Sequence, residues 1–521
     1  MTEKAAAAEA VEDAGLTQPI SGTNPEEDAP MSKAEIWLLN LSTIPIMFLS
    51  LLDASIISTA VPRISAEFHS ISDIGWYGAA YQLANASLQP LTGKLFTYLP
   101  LKETFLSFFV IFEIGSLICG SAQASHTLII GRAVAGLGAA GITNGVLAMV
   151  AASVPMAQRP AIIGLGMGIS QIGGLLGPLI GGFYINLPAG ALCALPLFFI
   201  HIPRPAGFKI NLQIALHFAW NKLDLTGLCL LAPAVIMVLM ALQYGSNGHP
   251  WSGPLVIGLL SGAAVAFLIF SWTTCYKGDD AILPPRIVCK RIVLCSCLVM
   301  AFGVATTFCA TFFLPVYFQT VEGASPLISG TYLLPTIVSQ IIAAVTSVGK
   351  TGYYLPWSIA SGALITLGSG LISTYTPETS KITWIAFQIV LGAGRGLGMQ
   401  MPIIALQNYL ADKDIAMGTS FLMFGHTMGA AIFLSLAQTI FLIGLRTLIP
   451  RYAPSVDPES LIHGDLNAAN LTAGNRTEEA QVLLAVSRSI NRVFYMTAGA
   501  GFAAFVLAFG IGWKDIRQAK R

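Results

Sequence analysis

The chain has 521 residues, 55% of them hydrophobic and only 10% charged, with 51 glycines and a mean hydropathy of +0.71. Soluble domains carry about a quarter charged residues, so a soluble enzyme is excluded. Lys and Arg (27) balance Asp and Glu (26) to a net charge of +1, which leaves no basic excess with which to hold nucleic acid.

Residues 1–34 read as an acidic tail. Seven carboxylates and two lysines stand among Ala, Thr, Pro and Gly over residues 1–33, too few apolar groups to offset chain entropy, and a disordered cytoplasmic segment is expected. No basic-then-apolar leader with a small-residue cleavage site precedes the first long apolar run, so that run is expected to be retained as a span. A window of about 19 residues, with spans of about 20, then gives fourteen candidates: 36–60, 74–96, 104–123, 127–152, 161–182, 183–200, 225–243, 253–272, 292–318, 328–348, 355–374, 382–408, 417–447 and 493–513. Helix is the only reading for them, because a bilayer satisfies no exposed backbone amide.

Charge orients the spans. With the tail inside, the inner segments hold 18 Lys and Arg and the outer segments seven, five of which lie in or beside one long outer loop at 448–491. This positive-inside bias puts both termini in the cytoplasm. The sequons Asn470-Leu-Thr and Asn475-Arg-Thr fall in that outer loop, where glycosylation is expected. The eight cysteines lie in spans or on the cytoplasmic side, so free thiols are predicted.

The sequence echoes itself at an offset of eight spans. Gly93-Lys94-x-x-x-Tyr98-Leu99-Pro100 is answered by Gly349-Lys350-x-x-x-Tyr354-Leu355-Pro356, Arg132 with Gly136 and Gly138 by Arg395 with Gly396 and Gly398, and Gly173-x-x-x-Gly177 by Gly425-x-x-x-Gly429. Such echoes point to duplication. The expected organisation is a six-helix half at 35–202, a cytoplasmic linker at 203–224, an inserted helix pair at 225–272, a cytoplasmic loop at 273–291, a second six-helix half at 292–513 and a basic tail at 514–521.

Only Asp53, Glu113, Arg132 and Arg395 are placed well inside spans. Each charge costs about 2.5 to 3.5 kcal/mol or more at mid-helix, so function is the first reading; a buried pair that only fixes packing is the other. At a rise of about 1.5 Å per residue, Asp53 lies about 10 Å and Arg132 about 8 Å below the outer ends of their helices, at one level. A carboxylate beside an Arg, in a cavity that alternately hydrates and dries, can change charge state as a proton carrier must. Glu113 is a second candidate for titration, or a packing carboxyl. Arg395 suits an anionic or aromatic substrate.

Other patterns are set aside. Gly136-x-Gly138-x-x-Gly141 matches a dinucleotide fingerprint by letter, but no strand precedes it. No two of the seven histidines are closer than 16 residues, so no metal or other cofactor is expected.

These residues resemble the major facilitator superfamily, and within it the fourteen-helix drug:proton antiporters, especially fungal toxin and multidrug efflux pumps. The likeness covers about residues 36–515. Leu52-Asp53-Ala-Ser through Pro62-Arg63-Ile64 is similar to the first-helix Asp motif, and Gly131-Arg132 through Gly141 to the fourth-helix Arg motif associated with proton transfer. Gly173, Gly177, Pro178, Gly181 and Gly182 resemble the antiporter helix motif of exporters. Phe183 to Pro188 and Gly394-Arg395-Gly-Leu-Gly-Met-Gln400-Met-Pro402 are similar to fungal-branch signatures.

Two departures stand out. The inner-gate loop expected at Gly93, Lys94 and Lys102 has Thr97 where the superfamily has Asp, and Gly182 runs directly into Phe183 where family members have about ten further residues.

The resemblance implies an all-α integral membrane fold, with two six-helix halves and two inserted central helices. It implies export of amphipathic toxins, metabolites or drugs in exchange for protons, by a monomer without cofactor in the plasma or vacuolar membrane. Uptake of a siderophore or other nutrient, and a non-transporting receptor, are the alternatives. Asn144, Gln171, Gln340, Gln388, Arg395, Gln400 and Gln407 are the candidate cavity residues.

Overall fold

The computed structural model describes residues 33–67, 74–180, 186–199, 223–246, 250–347, 352–463 and 476–516. The N-terminal tail to residue 32, most of the 203–224 linker, Gly181, Gly182, Phe183, Gly349, Lys350, Asn470 and Asn475 lie outside them.

Helix follows helix along the described chain. The first half contains α1 (Lys33–Glu67), α2 (Ile74–Tyr98), α3 (Leu101–Gly120), α4 (Ser125–Ser153), α5 (Arg159–Ile180) and α6 (Asn186–Phe199). The inserted pair is α7 (Leu225–Ser246) and α8 (Pro254–Lys277), followed by the short α9 (Pro285–Val288). The second half contains α10 (Arg291–Thr320), α11 (Pro326–Thr331), α12 (Leu334–Thr346), α13 (Leu355–Ile372), α14 (Lys381–Gly398), α15 (Met401–Tyr409), α16 (Asp412–Tyr452), α17 (Pro458–His463) and α18 (Arg476–Ala508). The described part of each expected interval is mostly helical. Eleven helical stretches among the described residues are long and apolar enough to cross a membrane by themselves.

The differences from expectation have physical causes. The tenth and twelfth intervals are each broken in two, before Pro335 and before Pro402, which take the second positions of α12 and α15; a proline there has no N–H to continue the preceding helix. The described part of the sixth interval is the 14 residues of α6. The outer loop expected at 448–491 is narrower, because α16 (41 residues) runs on to Tyr452 and α18 begins at Arg476. A helix of that length is about 60 Å long, twice the hydrocarbon thickness of about 30 Å, so it extends past the bilayer. Gly93 and Lys94, expected in a loop, lie in the last two turns of α2, and Lys102 lies in the first turn of α3.

Packing repeats at the eight-span offset. In the first half α1 packs on α5, α2 and α3 on α4, and α6 on α1 and α3; in the second, α10 packs on α16, α12 and α13 on α14, and α18 on α10 and α13. The glycine echoes are where these helices touch. A methyl on Gly173 of α5 would lie 2.5 Å from the Phe48 carbonyl oxygen of α1, and one on Gly429 of α16 would lie 2.5 Å from that of Ala301 on α10. Likewise Gly138 of α4 abuts the Phe112 backbone of α3, and a methyl on Gly394 of α14 would lie 2.8 Å from the Ile365 nitrogen of α13. Lipid gives helices no hydrophobic reason to associate, so backbone approach at small residues supplies much of the contact. Leu268, Trp272, Ile382 and Phe502 are exposed on the outside, while Ser, Thr, Asn and Gln fill much of the interior.

The seam between α3 and α4 is predicted to be intolerant of volume. Gly138→Val will destabilise the purified protein by about 1–3 kcal/mol. Gly258→Val on α8, where an added methyl meets nothing within 4 Å, will stay within about 0.5 kcal/mol of the parent. Thermal unfolding in detergent compares the two.

Candidate functional site

Four helices meet at Asp53. On α4, Ala135, Gly136 and Gly138 let the backbone approach α2 and α3, and Arg132 projects from the same segment toward α1. Its Nη1 donates to Asp53 Oδ2 at 2.6 Å and to the Asp53 carbonyl oxygen at 3.2 Å, and its Nε donates to the Tyr77 carbonyl oxygen at 3.1 Å. The guanidinium also lies 4.5 Å from the centre of the Tyr81 ring, a cation–π contact. Asp53 is 0% exposed and Arg132 1%. The expected juxtaposition of these two residues is therefore present as a dry ion pair.

Further polar groups surround it. Ser116 Oγ of α3 donates to Asp53 Oδ1 at 3.5 Å, the Tyr81 hydroxyl donates to the Ser50 carbonyl oxygen at 3.2 Å, and the Tyr77 hydroxyl donates to Ser125 Oγ at 2.9 Å. Sequence reasoning missed Tyr77 and Tyr81. Their spacing of four, which puts both on one face of α2, was the available signal. Glu113 lies one turn before Ser116 on α3, packed against Gly190 of α6. Both of its carboxyl oxygens are buried without a hydrogen-bond partner among the described residues.

Arg395 occupies the corresponding place in the second half and has different company. It is 5% exposed, and its Nε has no partner among the described residues. It lines a cavity of about 520 Å³, counted with its open mouth, together with Gly303, Thr307, Ser361 and His426. His426, absent from the sequence candidates, stands edge-on to Phe308 with ring centres 6.4 Å apart. A lone histidine within a long apolar helix carried no pattern that marked it.

Several of the other cavity candidates tie helices together. Asn144 Nδ2 donates to the Gln89 carbonyl oxygen at 3.2 Å and to Thr92 Oγ1, tying α4 to α2. Gln388 Oε1 accepts from Thr336 Oγ1 at 2.8 Å, Gln400 Nε2 donates to the Ala344 carbonyl oxygen at 3.0 Å, and Gln340 Nε2 lies 3.3 Å from Met399 Sδ. Gln171 is half-buried. None of these five amides, nor Gln407, lines the Arg395 cavity. Of the antiporter helix residues, the α5 backbone is helical through Gly173, Gly177 and Pro178.

The two halves touch from the Arg159 end of α5 as far along as Gly168, which abuts Ile341 of α12. Gln407 Oε1 of α15 accepts from Arg159 Nη1 of α5 at 3.3 Å, Gln89 Oε1 of α2 accepts from Thr427 Oγ1 of α16 at 2.7 Å, and Gly93 abuts Ser420. Beside them Lys94, fully buried, donates to the Asp280 carbonyl oxygen, and Arg286 of α9 forms a fork with Asp414 of α16 at 2.9 and 3.1 Å and reaches Asp279 at 2.8 Å. The Lys94 and Asp414 contacts link the loop after α8 to both halves, and the Asp279 contact is internal to that loop.

Asp224, just before α7, anchors the same end. It accepts from Lys277 Nζ at 2.5 Å, from the Gly227 amide at 3.0 Å and from the Ile282 amide at 2.8 Å. Burial works to raise its carboxyl pKa, but the bonds from Lys277, Gly227 and Ile282 together hold it below the ordinary value. A carboxylate lowered by folding stabilises fully above the unfolded pKa of about 4 and loses that contribution as pH falls through its folded value. Asp224→Asn will therefore lower the thermal midpoint at pH 7, and the gap to the parent will close below about pH 4; melts across pH check this.

Comparison with known proteins agrees with this arrangement. The family model described as Major Facilitator Superfamily matches residues 43–434. The chain is 46% identical to the MFS-type transporter pigP of Monascus ruber, covering 97% of this chain and 90% of that one. It is 41% identical to the efflux pump mokI of Monascus pilosus, covering 95% of each, and 42% identical to the efflux pump mlcE of Penicillium citrinum, covering 92% and 91%. Among solved structures, the human organic anion transporter MFSD10 (TETRAN) superposes with a TM-score of 0.56 at 13% identity, over 92% of this chain and all of that one. A double Trp mutant of XylE gives 0.55 at 12%, over 93% and 97%. At such identities the structures establish the fold alone.

Proposed function

We propose that this chain, which belongs to the Major Facilitator Superfamily, exports amphipathic small molecules such as toxins, secondary metabolites or drugs in exchange for protons, by alternating access. Membership makes it a multi-pass membrane transporter of a small molecule rather than an enzyme. Export is supported by relatives named as efflux pumps.

The observation that carries proton coupling is the dry pair of Asp53 and Arg132. Taking two ions out of water costs several kcal/mol each, and only close, well-bonded geometry offsets this. A proton arriving on Asp53 cancels the attraction to Arg132 and frees the guanidinium, so the packing of α1 against α4 depends on occupancy by one proton. Glu113, one turn from Ser116, is the second proton site in this reading.

Alternating access is supported by where the halves meet. The contacts at Arg159–Gln407, Gln89–Thr427 and Gly93–Ser420 lie toward the end assigned to the cytoplasm, where Gly93, Lys94 and Lys102 form the inner gate. The described state is then closed inward. One charge moved inward through 100 mV releases about 2.3 kcal/mol, enough for roughly a fiftyfold gradient of substrate. The protein works as a monomer in the plasma membrane, both termini inside, with Asn470 and Asn475 glycosylated outside.

Yeast lacking its own pumps and expressing this chain will accumulate less of a fluorescent amphipathic dye than control cells, and a protonophore will abolish the difference. Asp53→Asn, matched for surface expression, will lose at least tenfold of the export rate. Normal export by that variant contradicts the coupling role, and higher accumulation with the parent chain would mean uptake instead.

A further inference from the structure

We propose that the cavity around Arg395 is a site for an organic anion, so that the molecules exported include amphipathic carboxylates. The inference rests on the transport reading above and deepens it.

It comes from an asymmetry between halves that otherwise match. Arg132 and Arg395 stand at corresponding places, each on the helix that packs against two others of its half. Arg132 finds its counter-charge on the first helix of its half, at Asp53. The first helix of the second half, α10, brings Gly303 to the Arg395 cavity instead. A methyl placed on Gly303 would meet nothing within 4 Å, so this wall of the cavity is open. No carboxylate lines the cavity, and Arg395 Nε is buried with no acceptor among the described residues.

A lone guanidinium held in this way is costly. Arginine cannot shed its proton to avoid the cost. Its neutralisation is therefore left to a bound anion, and a carboxylate matches the planar fork in two bonds.

The rest of the cavity describes the molecule that carries the anion. Val299, Met300, Val304 and Ile365 give apolar walls, with Thr307 and Ser361 as isolated hydroxyls. An apolar body with one carboxylate fits this lining.

Binding of 1-pyrenebutyrate and of its uncharged primary amide to the purified full chain, followed by energy transfer from tryptophan, separates charge from shape. The parent is expected to bind the carboxylate at least tenfold more tightly than the amide. Arg395→Gln will bring the ratio close to one, and Arg395→Lys will keep part of it. Gly303→Asp, which supplies an internal counter-charge, will abolish the preference while Gly303→Ala retains it; a cooperative thermal unfolding transition in detergent reports that each variant is folded.

Equal binding of the two probes by the parent overturns the proposal, as it would if an inorganic anion neutralised Arg395. So does a preference that survives Arg395→Gln. If the preference behaves as expected but energised cells export neither probe, the anion site stands and the transport reading fails.

Discussion

An ion pair in a dry interior is the constraint around which the first half is built. Asp53 and Arg132 meet at 2.6 Å with almost no exposure, and removing one partner from such a pair costs about 3–5 kcal/mol because the other charge is left bare. The pair forms only if α4 comes close enough to its neighbours for a guanidinium to reach both α1 and α2. Gly136 against the Tyr81 carbonyl and Gly138 against the Phe112 backbone allow that approach. The glycine-rich segment after Arg132 is thus part of the same device as the charge.

The second half repeats the packing of the first but not its charge balance. It has the same helix neighbours and glycine contacts, yet its arginine lines an open cavity. In one half the protein supplies the anion, which suits a site that trades a proton. In the other half the anion must come from outside, which suits a site for cargo. Two halves of common ancestry are on this account specialised for the two species that are exchanged.

Much of this was legible in the sequence because a bilayer narrows the options. Length and hydropathy placed intervals whose described residues are mostly helical, and a rise of about 1.5 Å per residue put Asp53 and Arg132 at one depth. Breaks at Pro335 and Pro402 were visible as prolines, but helix ends are not determined by hydropathy, and α16 and α18 run well past the expected membrane edge. The amides resisted reading. Asn144, Gln388 and Gln400 are polar groups at membrane depth whether they hold substrate or hold helices, and only their partners distinguish the two. His426 and Gly303 gave no signal, since a single polar or small residue in an apolar run acquires meaning from what stands opposite.

The central claim is that Asp53 carries a proton whose binding competes with the pair to Arg132. Proton exchange between the purified transporter and a weakly buffered, dye-monitored solution, on addition of an exported substrate, tests it most directly. The account predicts a pH-dependent exchange of protons in the wild-type protein that is lost in Asp53→Asn while substrate still binds. An undiminished exchange from Asp53→Asn would contradict it and place the coupling elsewhere.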